Sequence, residues 1–368
     1  MNPATASPST LRTVLWWGRG DADYSRNRIV RQAMTALGWS IVDFAPRWSA
    51  LGSIEAMLRR IRRPALVWVP CFRQRDVASA CRWASRRGVP VVFDPLISAY
   101  DKQVFERQKI AEDSSQARKL LAWERQLFAQ PQAIIADTQP HADYFAQSLG
   151  VPRDRLHIIP VGAEANLFEP TPVPPPRQGA IEALFYGSFI HLQGPQVIVQ
   201  AARQCPSVRW TLLGDGPLHA ACVHAAAGLS QVHFEPRIAF EMLPSRIATA
   251  HILLGVFSGS DKAGRVVPNK VYQALACGRP VVTRQSDAYP PLPAAWDRQP
   301  REACGLFFVA PDDPAALAAQ VADLAAHPEL LGAHGAAARQ WYDRAMSPQS
   351  VREAVQRVLA KLVPGTGT

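Results

Sequence analysis

Between Lys262 and Gln273 the chain sets three cations, Lys262, Arg265 and Lys270, around a proline and the start of a helix. Those residue types suit a diphosphate. A guanidinium grips phosphate oxygens in pairs, an ammonium supplies a compact charge, and the first N–H groups of a helix have no intrahelical partner. Val266, Val267 and Asn269 carry the backbone through the turn, and Pro268 suits a first helical turn because its missing N–H would have no partner there. Gln273 is a neutral amide, able to hydrogen-bond but more weakly than a carboxylate would. Spacing alone fits an ordinary βαβ unit without a ligand equally well.

In the first half of the chain Asp94 follows the apolar run Val89 to Phe93, where a carboxylate could orient an acceptor hydroxyl or take its proton. An Asp at a strand end can equally cap a turn. Ser98, Tyr100 and Asp101 come just after it and are expected in the same acceptor pocket. Gly18 and Gly20 could let a ligand approach the backbone, although a GxG without a third glycine also describes a plain strand-to-helix turn. His191 and His251 are weaker candidates, since a lone histidine is more often structural.

These residues need elements to position them, and the chain supplies α/β units twice. Apolar strands are expected at Thr13 to Trp17, Ile41 to Phe44, Ala65 to Val69, Val89 to Phe93, Ala133 to Ala136 and Leu156 to Val161, with helices at Arg26 to Leu37, Asp76 to Arg87 and after Thr138. Tyr100 to Phe128 reads as an exposed, charged helical pair. The run EPTPVPPPRQ marks a stiff linker, which predicts an N-terminal domain at 1–168, a linker at 169–180, a second domain at 181–345 and a terminal segment at 346–368. Strands restart at Ile181 to Tyr186, Val208 to Leu213, Val232 to Phe234, His251 to Val256 and Val281 to Thr283, and Pro348 to Leu362 is an amphipathic helix. Ligands in open α/β sheets sit beyond the carboxyl ends of strands, where Asp94 and the Lys262 to Gln273 segment both fall.

At 368 residues, with 48% apolar and 19% charged, the chain can bury two cores and is not wholesale disordered. No apolar run is long enough to span a bilayer, and the first residues lack a basic region followed by an apolar core. Six scattered cysteines without metal-ligand spacing are expected to be reduced, which fits a cytoplasmic protein. Residues 1–170 hold 23 Lys and Arg against 16 Asp and Glu, whereas 171–368 hold 17 against 14. The excess is therefore in the first half, densest at Arg59-Arg60-Ile61-Arg62-Arg63. Such a face is either merely solvated or seated on an anionic membrane surface; nucleic acid is disfavoured because no reading motif accompanies the charge.

Gln273-Ala274-Leu275-Ala276-Cys277-Gly278-Arg279-Pro280-Val281-Val282 resembles the second half of the donor-site signature of the retaining, GT-B fold glycosyltransferases of family 4 (glycosyltransferase group 1), which usually reads Glu, seven residues, Glu-Ala-Met-Ala-x-Gly-x-Pro-Val-Val. Phe185-Tyr186-Gly187, the Gly214-Asp215-Gly216-Pro217 turn and Gly305 to Pro314 are similar to further motifs of that family, in register. Leu156 to Val161 with Asn166-Leu167-Phe168 resembles the end of its first domain. The likeness covers the C-terminal half in order and the N-terminal half in architecture.

The resemblance implies two Rossmann-like, doubly wound domains facing across a cleft, with the last helix crossing back to the first. It implies transfer of a sugar from a nucleotide sugar to a hydroxyl acceptor with retention, and no cofactor or divalent metal; Asp312-Asp313 reads as a helix cap. The donor would meet Gly187, Ser188, Gly214, Asp215 and Gly216 beside the Lys262 to Gln273 segment. A basic acceptor domain suggests a lipid-linked acceptor, as in envelope polysaccharide or glycolipid assembly, and a protein peripheral on the inner face of the membrane. The departures are specific. Ser188 and Gln193 stand where the family places an Arg and a Lys on the diphosphate, Arg265 stands at the first glutamate and Gln273 at the second. Lys262, Arg265 and Lys270 are the natural substitutes, with Arg265 either taking up diphosphate charge or selecting an acidic sugar. Two rival readings remain: a binding module whose altered donor site has lost turnover, and a GT-B sugar-nucleotide epimerase, for which no paired carboxylates and His assemble.

Overall fold

A computed structural model of the chain describes residues 12–19, 24–107, 109–176, 179–292 and 305–364. Strand alternation builds the first domain. β1 (Thr13–Trp17), β2 (Ser40–Phe44), β3 (Leu66–Val69), β4 (Val91–Phe93), β5 (Ala133–Ala136) and β6 (Leu156–Ile158) form a parallel sheet in the order β2-β1-β3-β4-β5-β6. Successive side chains point to opposite faces. Leu15, Trp17, Val67, Val69 and Phe93 therefore enter one core, against Val77, Trp83 and Phe128. Val14, Trp16, Leu66, Trp68 and Val92 enter another, against Ile29, Val30 and Met34. Every residue of β3, β4 and β5 is buried because both faces are covered.

β7 (Glu182–Ser188), β8 (Arg209–Asp215), β9 (Val232–Glu235), β10 (Ile252–Leu254), β11 (Val281–Arg284) and β12 (Leu306–Val309) form a second parallel sheet in the order β12-β11-β10-β7-β8-β9. Its direction of winding reverses between β7 and β10, and the crevice beyond that point is where such sheets hold ligands. Both sheets of this α/β molecule are thus doubly wound, and the chain has the two-domain GT-B arrangement.

The helix Pro348–Leu362 returns to the first domain: Val351, Val355, Val358 and Leu359 belong to the core of Ile29 and Val30, and its Lys361 Nζ donates to Asp154 O at 2.5 Å. The preceding helix, Leu331–Ala345, keeps Trp341 and Tyr342 in the core of the second domain, the second core, with Leu184, Phe185 and Val271. The proline run is tied down by Arg279, which is fully buried and donates to Thr171 O at 2.6 Å, Pro172 O at 3.0 Å and Ala250 O at 3.0 Å.

Two local expectations need correction. Pro268 is the residue before the helix Asn269–Ala276, with an extended backbone, and not part of its first turn. The segment from Tyr100 to Phe128 is charged and exposed along its outer face, as expected, but not throughout. The short helix Ala99–Asp101 runs on into a wider turn, Lys102–Glu106, and Glu124 of the helix Ser115–Phe128 is fully buried. Its carboxylate accepts from Ser98 Oγ at 2.5 Å, Ala99 N at 2.5 Å and Tyr100 N at 2.9 Å, satisfying helix-start donors that would otherwise be orphaned. No helix among the described residues is long and apolar enough to cross a membrane.

Candidate active site between the domains

The carboxyl ends of β7 and β8 meet at a pair of glycines too close for side chains. A Cβ on Gly214 would lie 2.0 Å from Gly187 O, and one on Gly216 would lie 2.7 Å from Phe189 N. Both glycines have positive φ, 135° and 152°, a region L side chains rarely adopt. The turn opens a cavity of about 390 Å³ in which Gly187, Ser188 and Asp215 face Arg237, Ile238 and Phe240 from the loop after β9. Asp215 Oδ1 is occupied by its neighbour's Gly216 N at 2.7 Å.

Lys270 reaches this end of the sheet from the start of the helix Asn269–Ala276. Its Nζ would lie 3.0 Å from a Cβ on Gly187, donates to Gln193 Oε1 at 2.7 Å and sits 3.7 Å from the centre of the Phe185 ring. It is 7% exposed, and among the described residues no carboxylate pairs with it. Burial pushes its pKa well below the usual lysine range. Gln193 thus supplies an acceptor to the lysine where a cation was expected. Tyr186 OH braces the helix through Lys270 O at 3.1 Å and Gln273 Oε1 at 2.9 Å, so Gln273 is buried against the strand.

The other two cations cross the cleft. Lys262 Nζ lies 2.5 Å from Glu106 Oε2 and 3.3 Å from Asp101 Oδ2, and Arg265 Nη2 lies 2.9 Å from Asp101 Oδ1. The Arg265 guanidinium also stacks 4.3 Å from the Tyr144 ring centre, and Thr138 Oγ1 donates to Arg265 O. Lys262, Arg265 and Tyr144, together with Tyr100, Phe105 and Arg125, border a cavity of about 1080 Å³ between the domains. Val266 is half-buried and Val267 is in the second core, so the hydrophobic residues of this loop anchor it. Asn269 shares a hydrogen bond with the Tyr24 phenol, whose pKa burial raises to about 12.

Asp94 is placed otherwise than as an available base. It is 1% exposed, and its carboxylate is gripped by Arg26, Nε to Oδ2 at 2.9 Å and Nη2 to Oδ1 at 3.3 Å. Arg26 also donates to Ile159 O at 2.9 Å and Pro160 O at 2.6 Å, so the pair ties β4 to the end of β6. Burial raises the Asp94 pKa, and Arg26 opposes that shift. Ser98 is likewise fully buried, capping its helix and bonded to Glu124. Of the four residues expected for the acceptor, Tyr100 alone borders the large cavity, with Asp101 behind it under Arg265.

Gly18 ends β1 with its backbone pressed on Arg73, away from the Gly187 cavity, and Gly20 lies outside the described residues, as does Cys304. His191 borders a smaller cavity of about 310 Å³ with Glu106 and Lys262, and His251 Nδ1 accepts from Glu182 N at 3.0 Å. Asp313 caps the helix Pro314–Ala326 through Ala316 N at 2.9 Å. No group of three or more metal-ligating side chains occurs among the described residues. Sequence reasoning passed over Arg237, Ile238 and Phe240, whose one signal was their position just after a strand, and over Tyr144 and Glu124, which carried none.

Two doubly wound domains with a glycine-lined cavity at the carboxyl ends of β7 and β8 define a GT-B protein with a candidate ligand site in its C-terminal domain. Residues 14–162 match the model of the glycosyl transferase 4-like domain, and residues 181–327 match that of the glycosyl transferases group 1. The chain belongs to the GT-B group 1 glycosyltransferases.

Among curated relatives, the D-inositol 3-phosphate glycosyltransferase of Xylanimonas cellulosilytica is 28% identical over 180 residues, which are 43% of this chain and 42% of that protein. The chain therefore spans under half the length of this relative. Among solved structures, HepE of Anabaena in complex with UDP and glucose superposes with a TM-score of 0.67 at 14% identity, over 95% of this chain and 100% of that one. Sucrose-phosphate synthase of Thermosynechococcus elongatus gives 0.67 at 17% identity, over 95% and 99%. At these identities the two structures speak to the fold alone.

Proposed function

We propose that the protein transfers a sugar from a nucleoside diphosphate sugar to a hydroxyl acceptor, with the nucleoside in the cavity at Gly187, Gly214 and Gly216 and the diphosphate at Lys270. The observation that carries this is a buried lysine with no carboxylate partner among the described residues, its Nζ packed behind Gly187, which itself lines the cavity with Gly214 and Gly216. A buried charge of that kind is costly unless a ligand pairs with it. The same ammonium and the helix N-terminus then stabilise the negative charge that develops on the leaving diphosphate, a task that needs no metal ion. The glycine-lined cavity next to them suits a flat base, and the UDP-bound Anabaena structure makes uridine the first nucleoside to try.

The acceptor belongs in the larger cavity, between Tyr100 and Tyr144 on one side and the loop of Lys262 and Arg265 on the other. Asp94, held by Arg26, enters as a positioning residue that ties β4 to the end of β6. Arg265 is committed to Asp101 and Tyr144, so it orders the interface between acceptor and donor sites before it meets any ligand. Retention at the anomeric carbon, metal independence and a role in envelope polysaccharide or glycolipid assembly complete the proposal. The test is incubation with UDP-sugars and simple acceptors in EDTA. Nucleotide release with an α-linked product from an α-linked donor is expected. Turnover that returns only on adding a divalent cation contradicts the metal-free mechanism, and nucleotide binding without hydrolysis or transfer supports the binding-module reading that Ser188 and Gln193 raise.

A further inference from the structure

The helix Gly52–Leu58 is amphipathic the wrong way round for a helix that merely covers a sheet. Its small residues Gly52 and Ala56 are fully buried, and a Cβ on Gly52 would lie 2.9 Å from Ser79 Oγ and 3.1 Å from the Trp17 ring. At 100° per residue, Ile54, Met57 and Leu58 fall on the opposite side, together with Leu51 from the turn before it. They are 55%, 46%, 79% and 52% exposed, and neighbouring Trp48 is 70% exposed. Single exposed apolar residues are ordinary, but five contiguous ones, including a Trp and four large aliphatic side chains, form a patch of the kind that marks an interaction site.

Charge says what the patch faces. Arg47, Arg59, Arg60, Arg62 and Arg63 are all exposed and flank the apolar side chains, while Glu55 is the one acid between residues 45 and 63. Glu55 is already taken, pairing with Arg59 at 2.7 Å and accepting from Arg47 N at 2.7 Å. Arg82 and Arg86, also exposed, extend the basic rim from the adjoining helix, with Arg86 reaching Met57 Sδ at 3.8 Å. A protein partner with an apolar face would meet a ring of cations of which, among the described residues, only Arg59 has a carboxylate partner. An anionic bilayer satisfies both parts, because it accepts the apolar side chains at its boundary and neutralises the arginines in its headgroups.

We infer that the Trp48 to Arg63 surface docks the first domain on an anionic lipid bilayer, with Trp48, Leu51, Ile54 and Leu58 inserted and the arginines on the headgroups. The segment starts at the carboxyl edge of β2, the edge on which the cleft opens. Docking there brings the rim of the cleft to the lipid surface. This inference does not depend on sugar transfer, so failure of either leaves the other standing.

Vesicle co-sedimentation of the full chain tests it, using phosphatidylcholine with and without phosphatidylglycerol. The wild type is expected to bind the anionic vesicles and to be released by salt. Arg59→Gln with Arg60→Gln should weaken binding by about fivefold per arginine. Ile54→Asp with Leu58→Asp should abolish it, and unchanged circular dichroism and melting would show that the exposed face was altered without unfolding the chain. Equal binding to neutral and anionic vesicles, no binding at all, or binding by the Ile54/Leu58 variant would overturn the proposal. So would light scattering that finds a wild-type dimer and a monomeric Leu58→Asp variant, which would make the patch a contact between copies.

Discussion

Among single residues, Lys270 combines burial with the lack of a carboxylate partner among the described residues. Its pKa is depressed by burial, so the folded state binds fewer protons there than the unfolded chain does between the folded value and the usual 10.5. Stability contributed at this site is therefore lowest below the folded pKa and rises with pH through that window. Lys270→Met is expected to remove this slope and leave the unliganded protein at least as stable as the wild type near neutral pH. It should also weaken nucleoside diphosphate binding, since a charge-assisted hydrogen bond contributes about 1.5–3 kcal/mol, or roughly ten- to hundredfold. The sequence placed Lys270 beside the diphosphate seat on spacing, but it could not separate this lysine from Lys262 and Arg265. That distinction rests on Asp101 and Glu106, more than 150 residues away in the chain.

Whole elements were more legible than the contacts between them. Most strands fell within a residue or two of their expected bounds, because buried parallel strands must be apolar runs closed by turn residues. The helix Pro348–Leu362 could be read outright from its apolar spacing. Side-chain partners such as Arg26 with Asp94 are 68 positions apart, and no local pattern announces them. Asp94 consequently read as an available base, and Glu124 as part of an exposed helix. Glu124→Ala would orphan buried donors at Ser98, Ala99 and Tyr100, at a cost of about 1–3 kcal/mol for each one that water cannot reach. A lower melting temperature with weakened acceptor binding and unchanged nucleotide affinity is expected, and unaffected melting would show the cap to be dispensable. Gly214→Ala attacks the other side, since its methyl would collide with Gly187 O and force β7 and β8 apart. Nucleotide binding should be lost with it, whereas tight binding by the variant would place the nucleoside elsewhere.

At the scale of the molecule, the cleft is held by charges that alternate across it. Asp101 and Glu106 of the first domain meet Lys262 and Arg265 of the second, with Asp101 and Lys262 nearly inaccessible to solvent. Removing one member of such a group leaves its partners buried without compensation. Asp101→Asn is expected to loosen the closed arrangement, seen as a larger radius of gyration in solution scattering, and to leave nucleotide affinity within a few-fold of wild type because Lys270 is separate from the group. An unchanged radius would mean that the Thr138 contact and the returning C-terminal helix hold the domains without it.

On the proposed function, the glycine-lined cavity and Lys270 bind a nucleoside diphosphate sugar without metal. Thermal unfolding in EDTA with UDP, other nucleoside diphosphates and their sugars, on the wild type and on Lys270→Ala, tests it most directly. A ligand at about a hundred times its Kd adds about 2.7 kcal/mol, which such melting resolves. Stabilisation of the wild type by one nucleotide family, lost in Lys270→Ala, is the expected result. Stabilisation that survives in Lys270→Ala, or no response to any nucleotide, would contradict the account.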